Sequence, residues 1–168
     1  MTAEHVTADG PLAAYHALLM QDGLAFDPVQ AAAATRLQAL HDALATLSAA
    51  PARRRGLRLF SRRAVIEPPS GVYLWGSVGR GKTMLMDLFF AGAPISEKRR
   101  VHYHRFMQEV HRELNTGRVS GDASADPLAP IVDRLAAEAR LLCFDELHVT
   151  DIGDAMILGR LFEGLFEA

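Results

Sequence analysis

GVYLWGSVGRGKTMLMDLFF, residues 71–90, changes character twice within twenty residues. Val72-Tyr73-Leu74-Trp75 is a short apolar run that predicts a strand. Thr83 to Phe90 is apolar on most sides and predicts a helix packed on a sheet and ending at Gly92. Between them Gly76-Ser77-Val78-Gly79-Arg80-Gly81-Lys82-Thr83 fits GxxxxGK[ST] at every fixed position. Glycines at 76 and 81 let the backbone curl, so that successive N–H groups face one anion. A helix starting at Lys82 adds the positive end of its dipole. Lys82 then spans the β- and γ-phosphates of a nucleoside triphosphate, ATP, and the Thr83 hydroxyl ligates Mg²⁺. The plainer alternative, a glycine-rich turn that binds nothing, fits less well in this strand-to-helix context.

A second stretch supplies acid. Leu141-Leu142-Cys143-Phe144-Asp145-Glu146 is four apolar residues followed by two carboxylates. The continuous apolar run predicts a strand buried on both faces. Behind a phosphate loop, such a strand sets its first carboxylate beside the magnesium, which assigns Asp145 as metal partner. Glu146, pointing elsewhere, suits the base that takes a proton from attacking water. The pair favours hydrolysis. A small-molecule kinase would dispense with Glu146 and carry a lid with several arginines.

Working outward, Val101 to His104 predicts another strand, and Phe106, Met107, Val110 and Leu114 a helix closed by Asn115 and Gly117. The polar loop RVSGDASADP leads to a helix over about 128–140. A final helix is expected from about Asp154 onward, with Leu158, Leu161, Phe162, Leu165 and Phe166. Strands alternating with helices give an α/β fold, a P-loop parallel sheet flanked by helices. Before it, Leu12 to Met20 predicts a short helix. Asp27, Pro28 and Gln30 form a helix start in which Gln30 can reach back to the cap. Val29, Ala33, Leu37, Leu40, Leu44 and Leu47 continue that helix until Pro51. The expected organisation is a helical N-terminal extension over 1–50, an arginine-rich linker over 51–70 and a P-loop core over 71–168.

The net charge of −2 over 168 residues gives no global attraction to nucleic acid or anionic lipid. One basic island interrupts it: Arg53, Arg54, Arg55, Arg58, Arg62 and Arg63. It reads as a solvated loop or as a contact for lipid, nucleic acid or a polymer. The single cysteine, Cys143, excludes an internal disulfide framework. No secretory signal starts the sequence and no run of about 18 apolar residues occurs, so the expected location is cytoplasmic.

Three segments, GVYLWGSVGRGKTMLMDLFF, VHYHRFMQEVH and LLCFDELHVTDIGDAMIL, together resemble the ZapE cell-division ATPases and their mitochondrial AAA+ relatives, the lactation-elevated protein group. The resemblance covers about residues 12–168. It implies a Walker A loop at Gly76–Thr83, a Walker B metal partner at Asp145 and a water-activating base at Glu146. It implies an AAA+ ATPase associated in bacteria with the division ring and its FtsZ polymer; whether the chain forms a homo-oligomer stays open. Leu147 departs from the pattern, where an aromatic residue is expected. The family continues past the Phe162–Phe166 helix into a strand with a sensor residue and an arginine finger. The sequence is therefore expected to be part of a longer protein, its sheet gapped beside the P-loop strand, and either an ATPase or a nucleotide-dependent binding module with little turnover.

Some residues keep two readings. Gln30 offers an amide either to an adenine edge or to its own helix cap. His102, His104 and His111 invite a metal, but the first two, on one strand face, lack accompanying ligands and read as structural. His104 and Arg105 could also lie near the phosphates, at a strand's C-terminal end. Cys143, inside an apolar strand, reads as an inert core thiol.

Overall fold

In a computed structural model the described residues are 10–21, 25–49, 69–119 and 126–167. The arginine island lies outside them. By contacts the chain divides into two compact units, Met1–Ile95 and Ser96–Ala168.

The first unit is helical: α1 (Pro11–Gln21), α2 (Pro28–Ala49) and α3 (Lys82–Gly92). Its core is Ala14, Tyr15, Ala34, Leu37, Leu44, Leu85 and Phe89. Leu37 and Leu44 repeat at seven residues and Leu85 and Phe89 at four, so each helix presents one apolar stripe to the others. A polar chain also ties the three helices. Leu12 N–H of α1 donates to Gln38 Oε1 (3.1 Å), and Gln38 Nε2 donates to Asp42 Oδ1 (2.8 Å). His41 bridges Asp42 Oδ1 and Gly92 O, each at 3.1 Å. The carbonyl at the end of α3 would otherwise lack an intrahelical donor. The His41 contact, and then that of Gln38, hold the Asp42 carboxyl below its usual range.

The strand expected at 72–75 does not form: residues 71–77 carry no regular structure, and Val72, Tyr73 and Trp75 are exposed. Apolarity alone does not make a strand. Its N–H and C=O groups need a ladder, and without one they are satisfied by water.

The second unit holds β1 (Lys98–His102), α4 (Tyr103–Val119), α5 (Ala129–Glu138), β2 (Leu141–Asp145) and α6 (Ile152–Glu167). β1 and β2 pair in parallel, with Lys98 opposite Leu141 and His102 opposite Asp145. β1 starts and ends earlier than expected, because Tyr103, Phe106, Met107 and Val110 already follow the helical period and are buried on one face of α4. Its opening Lys-Arg-Arg hid it from a search for apolar runs. These arginines are half-buried by pairing: Arg99 meets Glu109 of α4 and Glu138 of α5 (3.2 Å for the latter). Arg134 joins Glu138 to Glu113 (2.8 and 2.7 Å). α4 also runs past Asn115 and Gly117 to Val119, so those residues do not close it. α6 begins at Ile152, because the Asp151 carboxylate caps Asp154 N–H (3.0 Å). The core gathers Phe106, Val110, Ile131, Leu135, Leu158 and Leu161, with Phe144 edge-on to Phe106 at 4.9 Å between centroids.

Candidate functional site

The glycine-rich loop takes the backbone its sequence requires. Gly76, Gly79 and Gly81 have φ of 145°, 81° and 77°, where a side chain is strained. Gly81 in the left-handed region is the N-cap of α3, and its carbonyl accepts Leu85 N–H at 3.0 Å. The Lys82 ammonium is folded onto the loop it follows, donating to Gly76 O (2.9 Å) and Ser77 O (2.8 Å). Thr83 is exposed in the first turn of α3, as are Ser77, Val78 and Arg80 in the loop. The loop therefore puts a helix N-terminus, a lysine ammonium and a free-facing hydroxyl within eight residues.

The start of α2 is docked on that loop. Asp27 Oδ1 caps Val29 N–H at 2.8 Å, and its Oδ2 meets Arg80 Nη2 at 3.3 Å. Gln30 does not close the box with the cap. Its Nε2 donates to Arg80 O at 3.3 Å, and its Oε1 is buried with no partner among the described residues. A Cβ on Gly81 would stand 2.9 Å from Gln30 Nε2, the movable end of a side chain, so it is φ that requires glycine there.

In the second unit Asp145 ends β2 and Glu146 follows in a left-handed conformation, φ 54°. Among the described residues it is the one non-glycine with positive φ, a conformation that costs a Cβ-bearing residue about 1–3 kcal/mol. It turns the Glu146 side chain out of the strand's alternation, and the residue is exposed. Asp145 is clamped by Arg100: Nε donates to Oδ2 at 2.7 Å and Nη2 to Oδ1 at 2.9 Å. Arg100 lies opposite Cys143, two residues before the partner of Asp145, and so shares its sheet face. This guanidinium holds the Asp145 carboxyl below the usual carboxylate range. Arg100 escaped sequence reasoning; its only signal was a basic residue at the head of an unrecognised strand.

The histidines do not form a metal centre. His102 ends β1, whereas His104 is already in α4 beside Gln108 Nε2 (3.0 Å), so the two do not share a strand face. His104 and Arg105 occupy the first turn of α4. His111 pairs with Asp154 of α6 at 2.7 Å. No cluster of three or more metal-ligating side chains occurs among the described residues. Cys143 is buried and its thiol is pushed up to about 11 by that burial, in keeping with an inert core position. The Tyr103 hydroxyl is buried without a partner among the described residues, and burial, then Asp154 and Asp151, raise its pKa. A shallow concavity of about 580 Å³ over Gln108, His111, Arg112, Asn115 and Thr116 contains none of the loop residues 76–83 and neither Asp145 nor Glu146.

No described helix is long and apolar enough to cross a membrane. No solved structure matches this chain. The chain is 44% identical over 147 residues to the cell division protein ZapE of Escherichia coli K12, covering 83% of this chain and 38% of that protein. It is 47% identical over 107 residues to lactation elevated protein 1 homolog B of Danio rerio, covering 60% of this chain and 21% of the relative. It thus spans less than half the length of these relatives. A family model described as AFG1-like ATPase matches residues 10–168, and with so nearly complete a match the chain belongs to the AFG1-like ATPase family.

Proposed function

We propose that this chain is the ATP-binding part of a magnesium-dependent AAA+ ATPase that acts on a protein partner in cell division. The observation that carries it is the loop: three glycines with positive φ at the head of α3, and a lysine ammonium folded over them. Gly76, Ser77, Val78, Gly79, Arg80, Gly81, Lys82 and Thr83 form the nucleotide-binding set, with Gln30 beside it. Lys82 already touches two carbonyl oxygens and exchanges them for phosphate oxygens, where it offsets charge as it develops. Glu146 accepts a proton from water as that oxygen attacks the γ-phosphorus, giving ADP and phosphate.

The oxygen donors fit magnesium. Asp145 is held ionised, and each of its oxygens, with one Arg100 bond, keeps a lone pair. Thr83 adds an exposed hydroxyl. Magnesium keeps several waters, which suits a carboxylate already hydrogen-bonded to a neighbour. Bound, it would withdraw charge from the phosphate oxygens.

The division role follows the printed name of the Escherichia coli relative, and FtsZ or another division-ring protein is the partner proposed, in the cytoplasm, with self-assembly of the chain. A second reading is a nucleotide-dependent binding module with little turnover. The Arg100 clamp favours it, because a bidentate guanidinium places a positive charge where it opposes a cation at the same carboxylate. Phosphate release by the wild type and by Glu146→Gln separates the two. Hydrolysis predicts turnover that Glu146→Gln stops while ATP still binds. Equal release from both proteins excludes Glu146 as the base.

A further inference from the structure

We propose that Gln30, in the first turn of α2, is a positioning residue for phosphate, and that its amide aims the Gly81 N–H at the anion. The inference rests on the loop's assignment to nucleotide phosphate. Gln30 Nε2 donates to Arg80 O at 3.3 Å. A carbonyl can only accept, so the nitrogen of the Gln30 amide must face Arg80 and Oε1 must face away. The peptide joining Arg80 to Gly81 is planar and not cis, so its C=O and N–H point to opposite edges. Fixing the oxygen against α2 therefore directs Gly81 N–H away from α2, out of the packed side of the loop.

Three further features belong to the same device. Gly81 is left-handed at φ 77°, and the missing Cβ is the space Gln30 occupies, 2.9 Å from the position it would take. Asp27, three residues before Gln30, holds the Arg80 side chain at 3.3 Å, so both ends of that residue are tied to the start of α2. Gln30 Oε1 is buried with no partner among the described residues, a cost that a side chain serving only its own helix would shed by rotating to water. An atom so enclosed is also poorly placed to touch a base edge. A donor fixed before the ligand arrives binds more tightly than one ordered on arrival, because the ordering entropy is not lost at that step.

The test measures binding of ATP, GTP and inorganic tripolyphosphate to the 168-residue chain and to Gln30→Met, which keeps the length and loses the donor. The expected result is a loss of about tenfold, shared by all three ligands within a factor of about two, the size expected of one hydrogen bond. Loss for ATP alone overturns the proposal and makes Gln30 a base reader; no loss overturns it outright. Wild-type protein that binds none of the three removes the phosphate-loop reading itself. A measurement on the wild type guards against a misfolded variant: the Gly81 amide resonance must shift on adding tripolyphosphate, and a Gly81 signal that stays still while Gly79 and Lys82 move sinks the proposal.

Discussion

The glycine-rich loop and the acidic strand end are built by opposite means. In the loop, every candidate residue lies within eight consecutive positions, and the geometry is backbone: three positive φ values and a lysine resting on two carbonyls of its own loop. At the strand end, Asp145 is held by an arginine 45 positions earlier, through a bidentate ion pair between neighbouring strands. Lys82 is retained by the neutral dipoles of two carbonyls. Asp145 is retained by a full opposite charge in a half-buried setting, and such a pair holds more firmly. The lysine is thus held by weak neutral contacts, whereas the aspartate is held by an ion pair.

The largest effect tests the loop. Lys82→Ala should weaken ATP binding at least about a hundredfold, the scale for losing a charged partner from a polyanion. Isothermal titration reads it. The melting temperature should stay within about 2 °C, since among the described residues Lys82 bonds only exposed loop carbonyls and removing it leaves none of their buried groups unpaired. Unchanged affinity would end the phosphate-loop reading and with it the contrast between the units.

A smaller effect is expected in the second unit. Arg100→Met should cost about 2 kcal/mol at pH 7, the scale for hydrogen bonds to a charged group. The pH dependence gives the sign. Asp145 has a folded pKa depressed by Arg100, so its contribution is present above the unfolded carboxylate value and is lost as pH falls through the lower, folded one. The stability gap between wild type and Arg100→Met should therefore narrow below about pH 4. Denaturant melts at pH 7 and pH 3 measure it, and a gap independent of pH would mean that Arg100 stabilises the protein other than through the Asp145 carboxylate.

The same contrast explains what could be read from sequence. The loop's backbone was legible because its determinants are local: glycines at 76, 79 and 81 take positive φ and a helix starts at Lys82. The helices were legible from apolar spacing, α2 and α6 especially. β1 begins three residues earlier than its apolar run because Arg99 and Arg100 are half-buried against Glu109, Glu138 and Asp145, none adjacent in sequence. The clamp on Asp145 was invisible for that reason. The run at 72–75 has the apolarity of a strand, but a strand is made by its neighbour. Gln30 was noticed, but its partner, a main-chain oxygen fifty residues away, has no sequence signature.

The smallest effect sharpens the comparison, because left-handed backbone occurs in both units but on different residue types. The loop assigns it to glycines, which adopt it without strain. At the acidic end it falls on Glu146, whose Cβ opposes it. A residue kept there despite the strain is kept for its side chain. Glu146→Gly removes the Cβ and should stabilise the protein by about 1 kcal/mol, the lower part of the usual strain range because glycine loses more backbone entropy on folding. Glu146→Gln keeps the Cβ and should leave stability unchanged. Both substitutions remove the carboxylate and should stop any hydrolysis equally. A denaturant midpoint that rises for glycine alone, with phosphate release lost in both, would identify Glu146 as strained in the service of chemistry. If both variants are destabilised, the glutamate is structural, and the strand end is simply a turn with an ion pair beside it.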